Sequence, residues 1–97
     1  MVYEWDETKR RLNLVKHGLD FLSAALVLQS ELVQIVDSPR LGEPRQQAFA
    51  YVFEVLAVLT VVFLPGEGRC RVVSFRPANR IERENYHAWL ENHFTDQ

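Results

Sequence analysis

The run Ala48-Phe49-Ala50-Tyr51-Val52-Phe53-Glu54-Val55-Leu56-Ala57-Val58-Leu59-Thr60-Val61-Val62-Phe63-Leu64 decides the fold, because it is either a membrane span or the centre of a sheet. It is almost wholly apolar over about 17 residues, the bottom of the range for a spanning helix, and it carries Glu54 near its middle. Val, Phe, Tyr and Thr dominate it, and their branched or ring-bearing side chains suit a pleated surface. Cut near Glu54, it yields two pieces of ordinary strand length, so it reads as a buried hairpin. The turn of that hairpin, Val52-Phe53-Glu54-Val55, holds no glycine.

Further strands follow outward from the hairpin. Pro65-Gly66-Glu67-Gly68 is the clearest turn in the chain and joins a strand at Val55–Leu64 to another at Arg69–Arg76. Upstream, Asp37-Ser38-Pro39-Arg40-Leu41-Gly42-Glu43-Pro44 breaks regular structure with two prolines and a glycine. It separates a strand at Leu32–Val36 from one at Arg45–Val52. Helices flank this block. Asp6 can cap a helix in which Leu12, Val15 and Leu19 recur at spacings of three and four, and Gly18 can stop it. Asp20 can cap a second short helix through Phe21, Ala24, Ala25 and Leu28. Asn79 with Glu82 resembles a capping box opening a last helix that runs to about His93. Strands grouped together rather than alternating with helices point to an α+β fold: two N-terminal helices, a four-stranded antiparallel sheet and a C-terminal helix packed on it.

The chain has 97 residues, 47% hydrophobic and 25% charged, which fits a single domain over 1–97 with one two-layer core. Acids at Glu4, Asp6 and Glu7 stand where a secretory signal needs a positive segment, so no export is implied. A lone cysteine, Cys70, excludes a disulfide framework and fits a reducing cytoplasm; in a predicted strand it reads as a small buried hydrophobe. Trp5 and Trp89 read as packing aromatics. His17, His87 and His93 lack ligand spacing, so no metal site is expected and no cofactor is implied.

Three polar clusters remain for chemistry. Lys9, Asn13, Lys16 and His17 share one face of the first helix, opposite Leu12 and Val15, which is either a solvated face or a set of groups aimed at a ligand. Arg40, Glu43 and Arg45 surround Gly42 in what also reads as an ordinary charged turn. Arg69, Arg71, Arg76, Arg80 and Arg83 lie within fifteen positions, with Glu82 as the only acid among them. Strand alternation puts Arg71 and Arg76 on opposite faces unless a bulge intervenes. Guanidinium forks match phosphate oxygens, so a basic strand end feeding a helix start suits a phosphate site. Glu82, Arg83 and Tyr86 share a helix face, either as an internal network or as part of an acid-base constellation acting on RNA.

These segments resemble a known family. Trp5-Asp6-Glu7-Thr8-Lys9, Asn13, Lys16-His17-Gly18, Phe21 and Ala24 or Ala25 look like the opening motif of the BrnT ribonuclease toxins of type II toxin–antitoxin systems. Asp37-Ser38-Pro39-Arg40 with Gly42-Glu43-Pro44-Arg45 resembles that family's central turn. Arg71-Val72-Val73-Ser74-Phe75-Arg76-Pro77-Ala78, then Glu82-Arg83 and Tyr86, resembles its closing signature. The resemblance implies a RelE-like fold, metal-independent endoribonuclease activity that halts translation, and neutralisation by a BrnA-like antitoxin, a ribbon-helix-helix protein through which alone DNA would be reached. It implies Arg76 and Arg71 for phosphate binding and transition-state charge, His17 or Glu82 for proton transfer, with Tyr86 in the same constellation. Lys9, Lys16, Arg45 and Arg83 would line the RNA path. The rival reading is a catalytically inactive interaction module that keeps the antitoxin-binding surface. A net charge of -2 argues against a nucleic-acid binder only as an average, since Lys9–His17 and Arg69–Arg83 are two basic segments that a fold could bring together.

Overall fold

A computed structural model describes residues 1–95, the side chains of 94 and 95 excepted. The apolar run is a hairpin: β3 (Gln46–Val52) and β4 (Ala57–Gly66) pair antiparallel with Ala48 opposite Val61 and Ala50 opposite Leu59. Phe53–Leu56 form the turn, so β4 begins two residues later than Val55. With no glycine available, Leu56 takes the left-handed conformation, φ 53°. β2 (Gln34–Asp37) flanks β3, and β5 (Arg69–Pro77) flanks β4 through the Glu67-Gly68 turn.

The expected four-stranded antiparallel sheet is corrected to a five-stranded mixed one. β1 (Val2–Glu4) lies parallel to β5, with Val2 opposite Arg69 and Glu4 opposite Arg71, giving the order β1-β5-β4-β3-β2. Three residues are too few to show an alternating pattern, and their partners lie at the other end of the chain, so local sequence carries no sign of this pairing. α1 (Glu7–His17) follows, with Asp6 accepting from the Lys9 amide at its start and Gly18 at φ 70° ending it. The expected second helix is a 3-10 turn at Phe21–Ser23, capped by Asp20, and then the four residues of α2 (Ala25–Leu28). α3 (Arg80–Thr95) opens on the capping box, in which Asn79 Oδ1 accepts from the Glu82 amide at 2.8 Å and Glu82 Oε1 from the Asn79 amide at 2.9 Å. No helix among the described residues is long and apolar enough to cross a membrane.

Both sheet faces are packed. Phe21, Ala24 and Val27 cover Ala48, Ala50, Val61, Phe63, Val72 and Phe75 on one, with Trp5 set edge-on to Phe21. On the other, Tyr86 of α3, with Trp89 and Leu90, covers Phe49, Tyr51 and Val58. α3 leaves one cross-strand row of that second face uncovered, Gln47 of β3, Val62 of β4 and Ser74 of β5, which line a hollow.

A basic groove across the β5 bulge

The β4–β5 register slips by one residue, since Val62 faces Ser74 whereas Phe63 faces Val72. Val73 is the extra residue of a β-bulge, and its insertion restarts the alternation. Arg71 therefore sits opposite Leu64 and Arg76 opposite Thr60, and both β4 residues point to the second face. The parity conflict between the two arginines is resolved by the bulge.

Val73 and Ser74 are shared by two adjoining hollows. One, about 200 Å³, is also lined by Lys9, Leu12, Asn13, Lys16 and His17 of α1. The other, about 210 Å³, is lined by Ser38, Arg40, Arg45, Gln47, Val62 and Arg76. The basic face of α1 thus meets Arg76 of the second basic segment, and Arg40 and Arg45 of the central turn, in one groove.

Arg76 is held by a two-pronged contact with Glu82, Nη1 to Oε1 at 2.7 Å and Nη2 to Oε2 at 2.9 Å. The hydrogen bonds from Arg76 hold the Glu82 carboxyl below its ordinary range against the opposing effect of burial, so Glu82 is a bound counter-ion and a weak base. Because the same carboxylate takes the Asn79 amide, the start of α3 fixes the orientation of Arg76. Arg45 is paired with Glu43, whose Oε1 accepts from Nε at 2.9 Å and lies 2.7 Å from Nη2. His17 is half-buried at the end of α1, and desolvation, then the charges of Lys16 and Arg76, press its pKa below 6.5. A neutral imidazole beside cations can accept a proton at neutral pH.

Of the residues singled out in the sequence, the groove gathers Lys9, Asn13, Lys16, His17, Arg40, Arg45 and Arg76, with Glu82 behind Arg76. Arg71 shares the face but lines neither hollow. Arg83 donates to the Ala78 carbonyl at 2.8 Å and lines neither hollow. Tyr86 is fully buried; its hydroxyl donates to the Leu32 carbonyl at 2.8 Å and accepts from the Tyr51 amide. Its position is that of an anchor holding α3 to the sheet, and burial raises its pKa further from one suited to proton transfer. Ser38, Gln47 and Ser74 line the groove without having been singled out individually. Gln47 had a signal, for it alternates with the apolar Ala48 and Ala50 and so must point to the opposite face. Cys70 is buried and its thiol is pushed up to about 11. Among the described residues no three His, Cys, Asp or Glu side chains gather in a way that could hold a metal ion.

The sequence profile of BrnT, the ribonuclease toxin of type II toxin–antitoxin systems, matches residues 5–82. The chain belongs to this family. The matched span contains both sides of the groove, from Lys9 and His17 to Arg76 and Glu82, while Arg83 and Tyr86 of the BrnT-like closing signature fall just beyond it. No curated protein matches the chain by sequence. Membership in a BrnT family of type II systems makes the activity that of a ribonuclease and implies an antitoxin as partner.

Proposed function

We propose that this chain is a metal-independent endoribonuclease that arrests translation by cutting RNA, and that a BrnA-like antitoxin of the ribbon-helix-helix class neutralises it. The observation that carries the reading is the groove in which Lys16 and His17 meet Arg76 across the bulge at Val73 and Ser74. Neutral His17 takes the proton of a ribose 2′-hydroxyl, whose oxygen attacks the adjacent phosphorus. The bond to the 5′ oxygen breaks, that oxygen takes a proton from water, and the products are a 2′,3′-cyclic phosphate and a 5′-hydroxyl. Arg76 stabilises the charge that builds on the phosphorane oxygens. A guanidinium has five N–H donors; Glu82 takes one each from Nη1 and Nη2 and the Pro77 carbonyl the second on Nη1 at 3.3 Å, leaving Nε and the other Nη2 donor for phosphate. Lys9, Lys16 and Arg45 bind neighbouring phosphates. Arg71, four register positions from Arg76 and so ~13 Å along the same face, meets a phosphate further down the strand.

Expression without the antitoxin should stop growth of a bacterial host and degrade its RNA. The purified chain should cut RNA in the presence of a chelator, and His17→Ala and Arg76→Ala should each lower the cleavage rate by roughly 100-fold or more. A folded wild-type chain that leaves both growth and RNA untouched rejects the enzyme and favours the inactive module that only binds a partner.

A further inference from the structure

The helix that carries Lys16 and His17 is not attached to the sheet by an apolar stripe. Leu12, Leu14 and Val15 of α1 are 65%, 40% and 87% exposed. The residue turned inward is Asn13, at 8%. Its Nδ2 donates to the carbonyls of Phe75 at 2.8 Å and of Leu19 at 2.9 Å, while its Oδ1 accepts from the Phe75 amide at 3.1 Å. Both N–H donors and the carbonyl of the side-chain amide are therefore used. β1 covers the outer edge of β5 at Arg69, Cys70 and Arg71 and stops there. Beyond it, the Asn13 amide does for Phe75 what a peptide unit of a further strand would do.

The two ends of this clamp are next to the two sides of the groove. Asn13 precedes His17 by four residues, hence lies on the same helix face one turn away, and Phe75 immediately precedes Arg76. Other contacts of α1 tie it to the chain that follows: Arg10 grips Asp20 at 2.8 and 3.0 Å, and the Gly18 amide caps Leu14. Neither reaches β5. We propose that Asn13 is a positioning residue of the ribonuclease site, setting where His17 stands relative to Arg76 by pinning α1 to the backbone of Phe75. This rests on the functional reading above. An imidazole that drifts by ~1 Å from its working position can lose roughly 100-fold in rate.

Asn13→Ala and Asn13→Ser test the proposal, since alanine removes the side-chain amide and serine puts in its place a hydroxyl one bond too short to bridge the Phe75 backbone. Each is examined by NMR titration of the histidine imidazoles, with His87 and His93 as internal references, and by RNA cleavage kinetics below the melting temperature. The charged groups around His17 are Lys9 and Lys16 on α1 and Arg76 on β5. If the clamp sets their geometry, the His17 titration moves up toward 6.5. In the same variants kcat falls roughly 100-fold with KM changed less than about threefold. Folded variants that lose thermal stability but keep the His17 titration and kcat overturn the proposal. So does failure of both to fold, which makes the clamp a requirement of the fold and not of the site. A wild-type chain that cuts no RNA removes the ribonuclease reading instead, and leaves the His17 titration to judge the clamp alone.

Discussion

Asn13 and Thr60 are both polar and both buried, with opposite consequences. Asn13 satisfies every hydrogen-bonding group it has, whereas Thr60 is fully buried on β4 and its hydroxyl has no protein partner among the described residues. An unmet buried hydroxyl costs ~1 kcal/mol or more, so Thr60→Val, which keeps the shape and removes the hydroxyl, should stabilise the protein by about that amount in urea denaturation. A loss of stability would mean that the hydroxyl is in fact bonded. At His17 the sign of the pH dependence follows from its lowered pKa. Only the neutral ring can take a proton, so cleavage should be level above its pKa and fall about tenfold per pH unit below it, with a midpoint under 6.5. The folded state also binds this proton less readily than the unfolded chain does. Stability should therefore decline as pH falls below 6.5, and decline again below the ordinary carboxylate range as Glu82 is protonated and releases Arg76. A kcat/KM profile whose acidic midpoint lies above 6.5 excludes His17 as the base.

Elements announced by local chemistry were legible in the sequence. Glu54 inside an apolar run marked the hairpin, and Asp6, Gly18, Asp20 and the Asn79–Glu82 box marked helix ends where the caps stand. What was not legible depended on distant partners. β1 is a strand only because β5 offers it an edge, and the Leu12–Val15 stripe of α1 suggested an inward face that the structure turns to solvent. The polar side of α1 is chosen because the open edge of β5 needs a donor and an acceptor, which leucine lacks and Asn13 supplies. The glycine-free hairpin turn is a third case. It closes by forcing Leu56 to φ 53°, a conformation that costs a residue with a Cβ ~1–2 kcal/mol. Leu56 is also 75% exposed, so little packing is lost with its side chain. Leu56→Gly should thus raise stability by up to about 1 kcal/mol, part of the relief being offset by the greater entropy of glycine in the unfolded chain. Thermal unfolding checks it, and a lower melting temperature would show that the Leu56 side chain holds the turn.

Over the whole molecule, a net charge of -2 says little about RNA because the charges are sorted in space. Residue types and motifs pointed to Lys16, His17, Arg45 and Arg76, but their meeting depends on the Val73 bulge and on α1 lying along the edge of β5, neither of which a local pattern encodes. Glu43 and Glu82 were legible as members of a charged turn and of an internal network, but the pairing of Glu82 with Arg76 rather than Arg83 follows only from the fold. Lys9, Lys16, Arg40, Arg45 and Arg76 against those two glutamates leave a surplus of three positive charges in the groove. Each phosphate neutralised on a single strand contributes a slope of about −0.7 in log affinity against log salt, so this surplus, with Arg71 further along the strand as a fourth contact, should make binding of single-stranded RNA fall with a slope near −3. The measurement uses His17→Ala, which leaves the substrate whole. In that background Lys16→Gln should flatten the slope by about 0.7. Arg69→Gln should leave it unchanged, because Arg69 sits at the far end of β5 beside Glu4 at 3.7 Å. An affinity indifferent to salt, or an equal response to both substitutions, would mean that overall charge and not this groove governs the encounter with RNA.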